Sequence, residues 1–130
     1  MRVNEIFFSV QGEGLNQGSR ALFVRFSGCN LGDGEEASRS RSFCTFCDTE
    51  FRDGEDMDED DILRKMREVS RVVQPWQVGL IVLTGGEPFL QVTQRFVESI
   101  LRVFTQARVW FETNGTVIPE GDGWYLSNPR

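Results

Sequence analysis

The sequence contains no histidine. That removes the commonest general base and the imidazole ligand of many zinc and copper sites. Long apolar runs are missing too. Stretches such as Leu80–Leu83 hold a handful of residues, whereas a spanning helix needs about 20, so no transmembrane segment is expected. The N-terminus, MRVNEIFFSVQGEG, lacks a sustained apolar core and a small-residue cleavage site, so no secretory signal is expected either. Basic charge is scarce: 14 Lys+Arg stand against 20 Asp+Glu, a net charge of −6, with much of the acid between Asp53 and Asp61. This balance argues against a general binder of nucleic-acid backbones. Cysteine is limited to Cys29, Cys44 and Cys47. An odd count makes a poor disulfide framework and, without a signal peptide, points to a reducing cytoplasm.

What is present reads as one domain. With 130 residues, 39% of them hydrophobic and 26% charged, the chain has the size and composition of a single globular unit, residues 1–130. Glu5–Val10 predicts a strand ending in the turn Gln11-Gly12-Glu13-Gly14, and Ala21–Ser27 predicts a second, stopped by Gly28. Cys29 to Phe43 is rich in Gly, Ser, Asp, Glu and Arg and predicts a long loop. Met57–Val73 predicts a helix: Ile62, Leu63, Met66, Val69 and Val73 share one face, acids fill the first turn, and Pro75 lies just past the end. Val78–Leu83 is a near-continuous apolar run, as for a parallel strand covered on both faces. A second amphipathic helix over roughly Leu90–Thr105 buries Phe96, Val97, Ile100, Leu101 and Phe104. Arg108–Glu112 and Trp124–Ser127 predict two further strands.

Strand and helix alternate, so the class is α/β with a parallel sheet and right-handed crossovers. Four strands and two helices make neither a closed barrel nor a finished doubly wound sheet. A truncated domain, or one completed by a partner, is therefore expected.

Three segments carry chemistry. Cys29, then fourteen residues, then Cys44-Thr-Phe-Cys47, gives three thiolates that converge if the loop folds back. They fit a structural zinc site with a fourth ligand from elsewhere, or three unconnected thiols, or a soft-metal cluster with one position open to a ligand. Thr84-Gly85-Gly86-Glu87-Pro88 lies at the C-terminal end of a parallel strand, the edge where α/β sheets bind ligands. It reads either as a plain strand-to-helix connection, the commoner case for such a turn alone, or as a site whose glycines admit close approach to the backbone and whose Glu87 offers an acceptor for an ammonium group. Glu112-Thr113-Asn114-Gly115 occupies the same edge, either as an Asn-Gly turn or as a site whose Glu112 and Asn114 suit ribose hydroxyls.

Together these features resemble the radical S-adenosylmethionine (SAM) superfamily, in which three cysteines hold a [4Fe–4S] cluster and a Gly-Gly-Glu turn takes the amino group of SAM. The superfamily usually spaces its first two cysteines more closely than here. That departure, with Phe8–Gly14 (FSVQGEG) upstream, Phe23–Leu31 (FVRFSGCNL) leading in and Cys47-Asp48-Thr49 closing the loop, resembles the 7-carboxy-7-deazaguanine synthase family, of which a subset has an expanded cysteine loop. The resemblance runs from Glu5 to Arg130 and implies a partial (β/α) barrel, incomplete at its C-terminus. It implies Cys29, Cys44 and Cys47 as cluster ligands, and Gly85, Gly86 and Glu87 at the methionyl end of SAM. Glu112, Asn114 and Ser127 would hold the ribose. Gln11, Glu13 and Arg25 would hold a pterin substrate, and Thr49 a Mg2+ ion. No protein side chain is implied as catalytic, since the radical comes from SAM.

The implied reaction converts 6-carboxy-5,6,7,8-tetrahydropterin to 7-carboxy-7-deazaguanine with loss of ammonia, in queuosine biosynthesis. A flavodoxin or ferredoxin electron donor and a cytoplasmic homodimer are implied with it. A non-catalytic iron–sulfur or zinc-binding fragment, or an activating enzyme for a glycyl radical, are the alternatives. The QGEG and CDT segments argue against the last.

Overall fold

The computed structural model describes residues 1–73 and 77–119. Five strands and two helices follow the chain as β1 (Arg2–Val10), β2 (Arg20–Phe26), β3 (Glu55–Asp56), α1 (Glu59–Val69), β4 (Leu80–Gly85), α2 (Gln94–Val103) and β5 (Arg108–Phe111). They form one sheet in the order β3-β1-β2-β4-β5. β2, β4 and β5 are parallel, with Val24 opposite Leu83 and Leu83 opposite Phe111. Each crossover carries the helix that the apolar periodicity predicts.

The sheet is mixed, which corrects the expectation of an all-parallel one. β1 runs antiparallel to β2, pairing Val10 with Arg20 and Phe7 with Phe23. The reason is length: residues 11–19 are too few for a parallel crossover, which needs about a dozen or more, and so they make a hairpin. The two-residue β3 was not foreseen inside an acidic run; it pairs with the start of β1, Arg2 with Asp56.

Helix ends follow their caps. The Asp58 carboxylate accepts from the Asp61 N–H at 2.8 Å, starting α1 at Glu59 rather than Met57. Thr93 caps α2 by accepting from the Phe96 N–H at 3.2 Å. That moves the helix start past Leu90, and residues Pro88–Leu90 form a separate short 3-10 turn. The predicted strand Trp124–Ser127 and Pro75 lie outside the described residues.

Strand alternation divides the core. Leu22, Val24, Phe26, Ile81 and Leu83 face the helices and pack with Ile62, Met66, Phe96 and Ile100. All nine are fully buried, and burying each such side chain contributes about 1.5–3 kcal/mol. The other face is thinner: Ala21, Phe23, Leu80 and Val82, flanked by Phe7 and Trp110. No helix of the described residues is long and apolar enough to cross a membrane.

Parallel pairing brings three chain segments to one edge of the sheet. They are the exits of β2 (Ser27–Cys29), β4 (Gly86–Glu87) and β5 (Glu112–Asn114).

Candidate active site

The exits of β2 and β4 are locked together by backbone. The Gly86 N–H donates to the Phe26 carbonyl at 3.1 Å, and the Glu87 N–H donates to the Gly28 carbonyl at 2.9 Å. Such closeness explains the glycine pair. A Cβ on Gly85, whose φ is +124°, would collide with the Phe26 backbone, and one on Gly86 would collide with the Gly28 carbonyl. Sequence reasoning assigned these glycines to ligand approach. Their first effect is to let one strand exit cross another.

Cys29 leaves that crossing and the loop returns to it. The Gly28 N–H donates to the Phe51 carbonyl at 2.8 Å and the Phe43 N–H to the Leu31 carbonyl at 3.1 Å, while the Phe51 ring is buried. Inside the loop, Asp33 accepts from the Glu35 N–H at 2.9 Å and from the Ser38 hydroxyl. The Ser38 hydroxyl and then the Glu35 N–H hold the Asp33 carboxyl below the usual range. The Arg52 N–H does the same for Glu50. Cys29, Cys44 and Cys47 are unpaired, half-buried thiols. They line one cavity of about 80 Å³, with Gly86 and Asn114 also on its wall. Among the described residues, no three His, Cys, Asp or Glu side chains are grouped to hold a single metal ion; the thiols surround a cavity instead.

A second cavity, of about 370 Å³, is lined by Gln11, Glu13, Arg25, Thr49, Thr84 and Glu112, with Phe7, Phe23 and Asp48 among the remaining wall. Its volume lies in the range of small-molecule sites. The Phe7 and Phe23 rings stack at 4.9 Å, and the Arg25 guanidinium lies 5.3 Å from the Phe7 centroid. Arg25 Nη1 donates to Glu5 Oε2 at 3.1 Å, and its Nε is buried with no hydrogen-bond partner among the described residues. An aromatic wall, a guanidinium and several carboxylate and amide groups suit a flat, polar, anionic heterocycle.

Glu112 ties this cavity together. Its Oε1 accepts from Gln11 Nε2 at 2.8 Å and its Oε2 from the Thr84 hydroxyl at 2.6 Å. In a flat sheet the backbones of Gln11 and Glu112 would lie roughly 20 Å or more apart, at ~3.3 Å per residue and ~4.8 Å per strand. The sheet is therefore curled, as a part-barrel is.

A model of the radical SAM superfamily matches residues 24–121. The chain belongs to the radical SAM superfamily. Curated relatives include the 7-carboxy-7-deazaguanine synthases of Caulobacter vibrioides, 40% identical over 98% of this chain, and of Burkholderia multivorans, 38% identical over 98%. This chain spans 62% of the length of each. The crystal structure of QueE from Escherichia coli superposes with a TM-score of 0.67 at 21% identity, covering 93% of this chain and 60% of that one; it bears on the fold. The cofactors of this radical SAM chain are a [4Fe–4S] cluster and SAM. The donor set fits the cluster: three free thiols line one cavity, with Gly86 also on its wall.

Two radical SAM positions are employed differently from the sequence expectation. The Glu87 carboxylate, completely buried, does not point outward for an ammonium group. It accepts from Phe89 N–H at 3.0 Å, from the Thr113 hydroxyl at 2.9 and 2.8 Å, and from Asn114 N–H at 2.8 Å, bracing the exits of β4 and β5. The Asn114 side chain has no capacity left for a ribose hydroxyl. Its Oδ1 accepts from Thr116 N–H and hydroxyl at 2.9 and 2.7 Å, and its Nδ2 donates to Asn30 Oδ1 at 3.0 Å and Cys29 Sγ at 3.7 Å. Two lone pairs and two protons are thereby all used. Ser127 lies outside the described residues.

Sequence reasoning missed Phe7, Phe23, Thr84 and Thr113. Alternation and the β1–β2 pairing would have put the two rings beside Arg25, and both threonines stand inside motifs already singled out.

Proposed function

We propose that this chain works as a 7-carboxy-7-deazaguanine synthase, a radical SAM lyase converting 6-carboxy-5,6,7,8-tetrahydropterin to 7-carboxy-7-deazaguanine and ammonia. The observation that carries the reading is the adjacency of the two cavities, with Thr49 on the wall of both. One holds the thiols; the other holds the guanidinium and aromatic wall suited to a carboxylated pterin.

Cys29, Cys44 and Cys47 hold the cluster. The main chain of Gly85, Gly86 and Glu87 receives the methionyl end of SAM, and Glu112, with Ser127, its ribose. A [4Fe–4S] cluster and SAM held there would supply one-electron radical chemistry directed at C6 of the pterin. Arg25 pairs with the pterin carboxylate as a fork and already carries a buried, unpartnered Nε. Gln11 and Glu13 bind the polar edge of the ring, and the Phe7–Phe23 stack offers it a flat apolar surface that excludes water. The Thr49 hydroxyl would supply one oxygen to a Mg2+ ion. The protein orients and shields while the cofactor carries the hard step. Residues 1–130 act as one radical SAM domain of a cytoplasmic homodimer, with a flavodoxin or ferredoxin as electron donor.

The test is anaerobic reconstitution with iron and sulfide, then dithionite reduction with SAM, with and without the tetrahydropterin and magnesium. Pterin-dependent 5′-deoxyadenosine together with a deazaguanine product is the expected result. A cluster that forms without SAM cleavage would overturn the reading for this chain and leave an iron–sulfur-binding fragment.

A further inference from the structure

The three thiols do not share one environment. Among the described residues, only the Cys29 sulfur accepts hydrogen bonds: from the Leu31 N–H at 3.4 Å and from Asn114 Nδ2 at 3.7 Å. The orientation of the Asn114 amide is set by its hydrogen-bond network. The other end of the amide faces the Thr116 N–H at 2.9 Å, a group that can only donate. That end must be the oxygen, so the NH2 end faces Cys29. The amide is then pinned by Asn30, whose Oδ1 takes the other Nδ2 proton and whose own Nδ2 donates to the Thr116 hydroxyl at 2.7 Å. The Asn114 backbone N–H is in turn fixed by buried Glu87 at 2.8 Å. Every group that holds this donor is itself held, so the N–H is aimed at the sulfur before any cofactor binds.

We propose that Asn114 is a positioning residue that tunes the reduction potential of the cluster through the Cys29 sulfur, and that the Glu87–Thr113–Asn114–Thr116 network exists to aim it. The inference rests on the assignment of Cys29 as a cluster ligand. A hydrogen bond to a ligand sulfur stabilises the more negative, reduced state and so raises the potential. Because the Leu31 N–H comes from the backbone, it persists in any side-chain variant. Removing Asn114 therefore shifts the potential without stripping the sulfur of all donors.

The experiment compares the intact chain, reconstituted anaerobically with iron and sulfide, with Asn114→Leu and Asn114→Ser. The leucine variant approximates the shape without a donor. The serine variant keeps an acceptor for the Thr116 N–H but cannot reach the sulfur, and it serves if leucine disturbs the turn. The readout is an EPR-monitored titration with dithionite, alongside iron content. The expected result is unchanged iron content with a reduction equilibrium about tenfold less favourable, as fits loss of one hydrogen bond to a charged acceptor, which is about 59 mV more negative for one electron. A potential equal to the wild type in an iron-replete variant overturns the proposal. Loss of iron from both variants also overturns it, by showing that Asn114 holds the loop in place. Failure of the wild-type chain itself to take up iron would instead sink the cysteine assignment on which the proposal rests.

Discussion

Cys29 and the Cys44–Cys47 pair reach the same cavity from unlike supports. Cys29 stands at the exit of a central strand, where Gly85 and Gly86 let two backbones cross in hydrogen-bond contact and Glu87 braces the next strand exit. Cys44 and Cys47 stand on a loop shaped by short-range side-chain-to-backbone bonds, flanked by Phe43 at 89% and Phe46 at 84% exposure. The first support belongs to the cooperative core; the second is a local structure clipped to it. The lesson is that a shared ligand set does not imply a shared stability. Damage at the strand crossing is expected to cost the stability of the whole domain, whereas damage in the loop is expected to fall mainly on the site.

The steepest test of that contrast is Gly86→Ala. Its Cβ meets backbone on one side and the Cys29 Cβ at 3.1 Å on another, so nothing soft can yield. Urea unfolding is expected to show a loss of about 3 kcal/mol or more, the upper range of overpacking. Glu87→Gln comes next. It puts an NH2 against donors in a fully buried site, and the same assay is expected to show about 1–3 kcal/mol lost from the mispaired groups.

Arg25→Lys addresses the second cavity. On the proposed function, loss of the fork is expected to raise the KM for the tetrahydropterin about tenfold or more, since hydrogen bonds to charged groups are worth about 1.5–3 kcal/mol. Urea stability should stay nearly unchanged. Gly34→Ala probes the loop: its φ is +76°, and a Cβ would meet the Arg52 side chain at 2.7 Å and the Phe51 ring at 3.1 Å. A cost of about 1–2 kcal/mol is expected from the left-handed backbone, below that of Gly86→Ala. Were it as damaging as Gly86→Ala, the loop would have to be counted with the core.

The smallest effect concerns acid. The Ser38 hydroxyl, first, and the Glu35 N–H lower the Asp33 pKa in the folded loop. That stabilisation is present above the usual carboxylate range and lost as pH falls through the lowered folded-state value. Limited proteolysis by an acid-active protease should therefore open residues 33–42 at low pH while the sheet remains protected. Asp33→Asn should flatten the pH dependence.

Much of this was legible in the residue order. Both helices, their buried faces and the parallel strands follow from apolar periodicity. The three cysteines do line one cavity, and Gln11, Glu13, Arg25, Thr49 and Glu112 do line another. What was not legible depends on tertiary partners. The direction of β1 turns on the length of a connection, which counting residues 11–19 would have revealed. The inward turn of Glu87 and the saturated amide of Asn114 depend on threonines that meet them only after β4 and β5 align. A motif tells which side chains gather at an edge; it does not tell which of them spend their hydrogen bonds on one another.

The clip that closes the cysteine loop has a consequence for its length. Gly28 and Phe51 are joined by a backbone hydrogen bond, and Leu31 and Phe43 by a second, so the ends of the segment are fixed independently of what lies between. For a flexible closed loop, each doubling of length costs only about 0.6 kcal/mol of closure entropy. The fourteen residues separating Cys29 from Cys44 thus cost little in closure entropy, because backbone outside the stretch around Ser38 holds both of its ends.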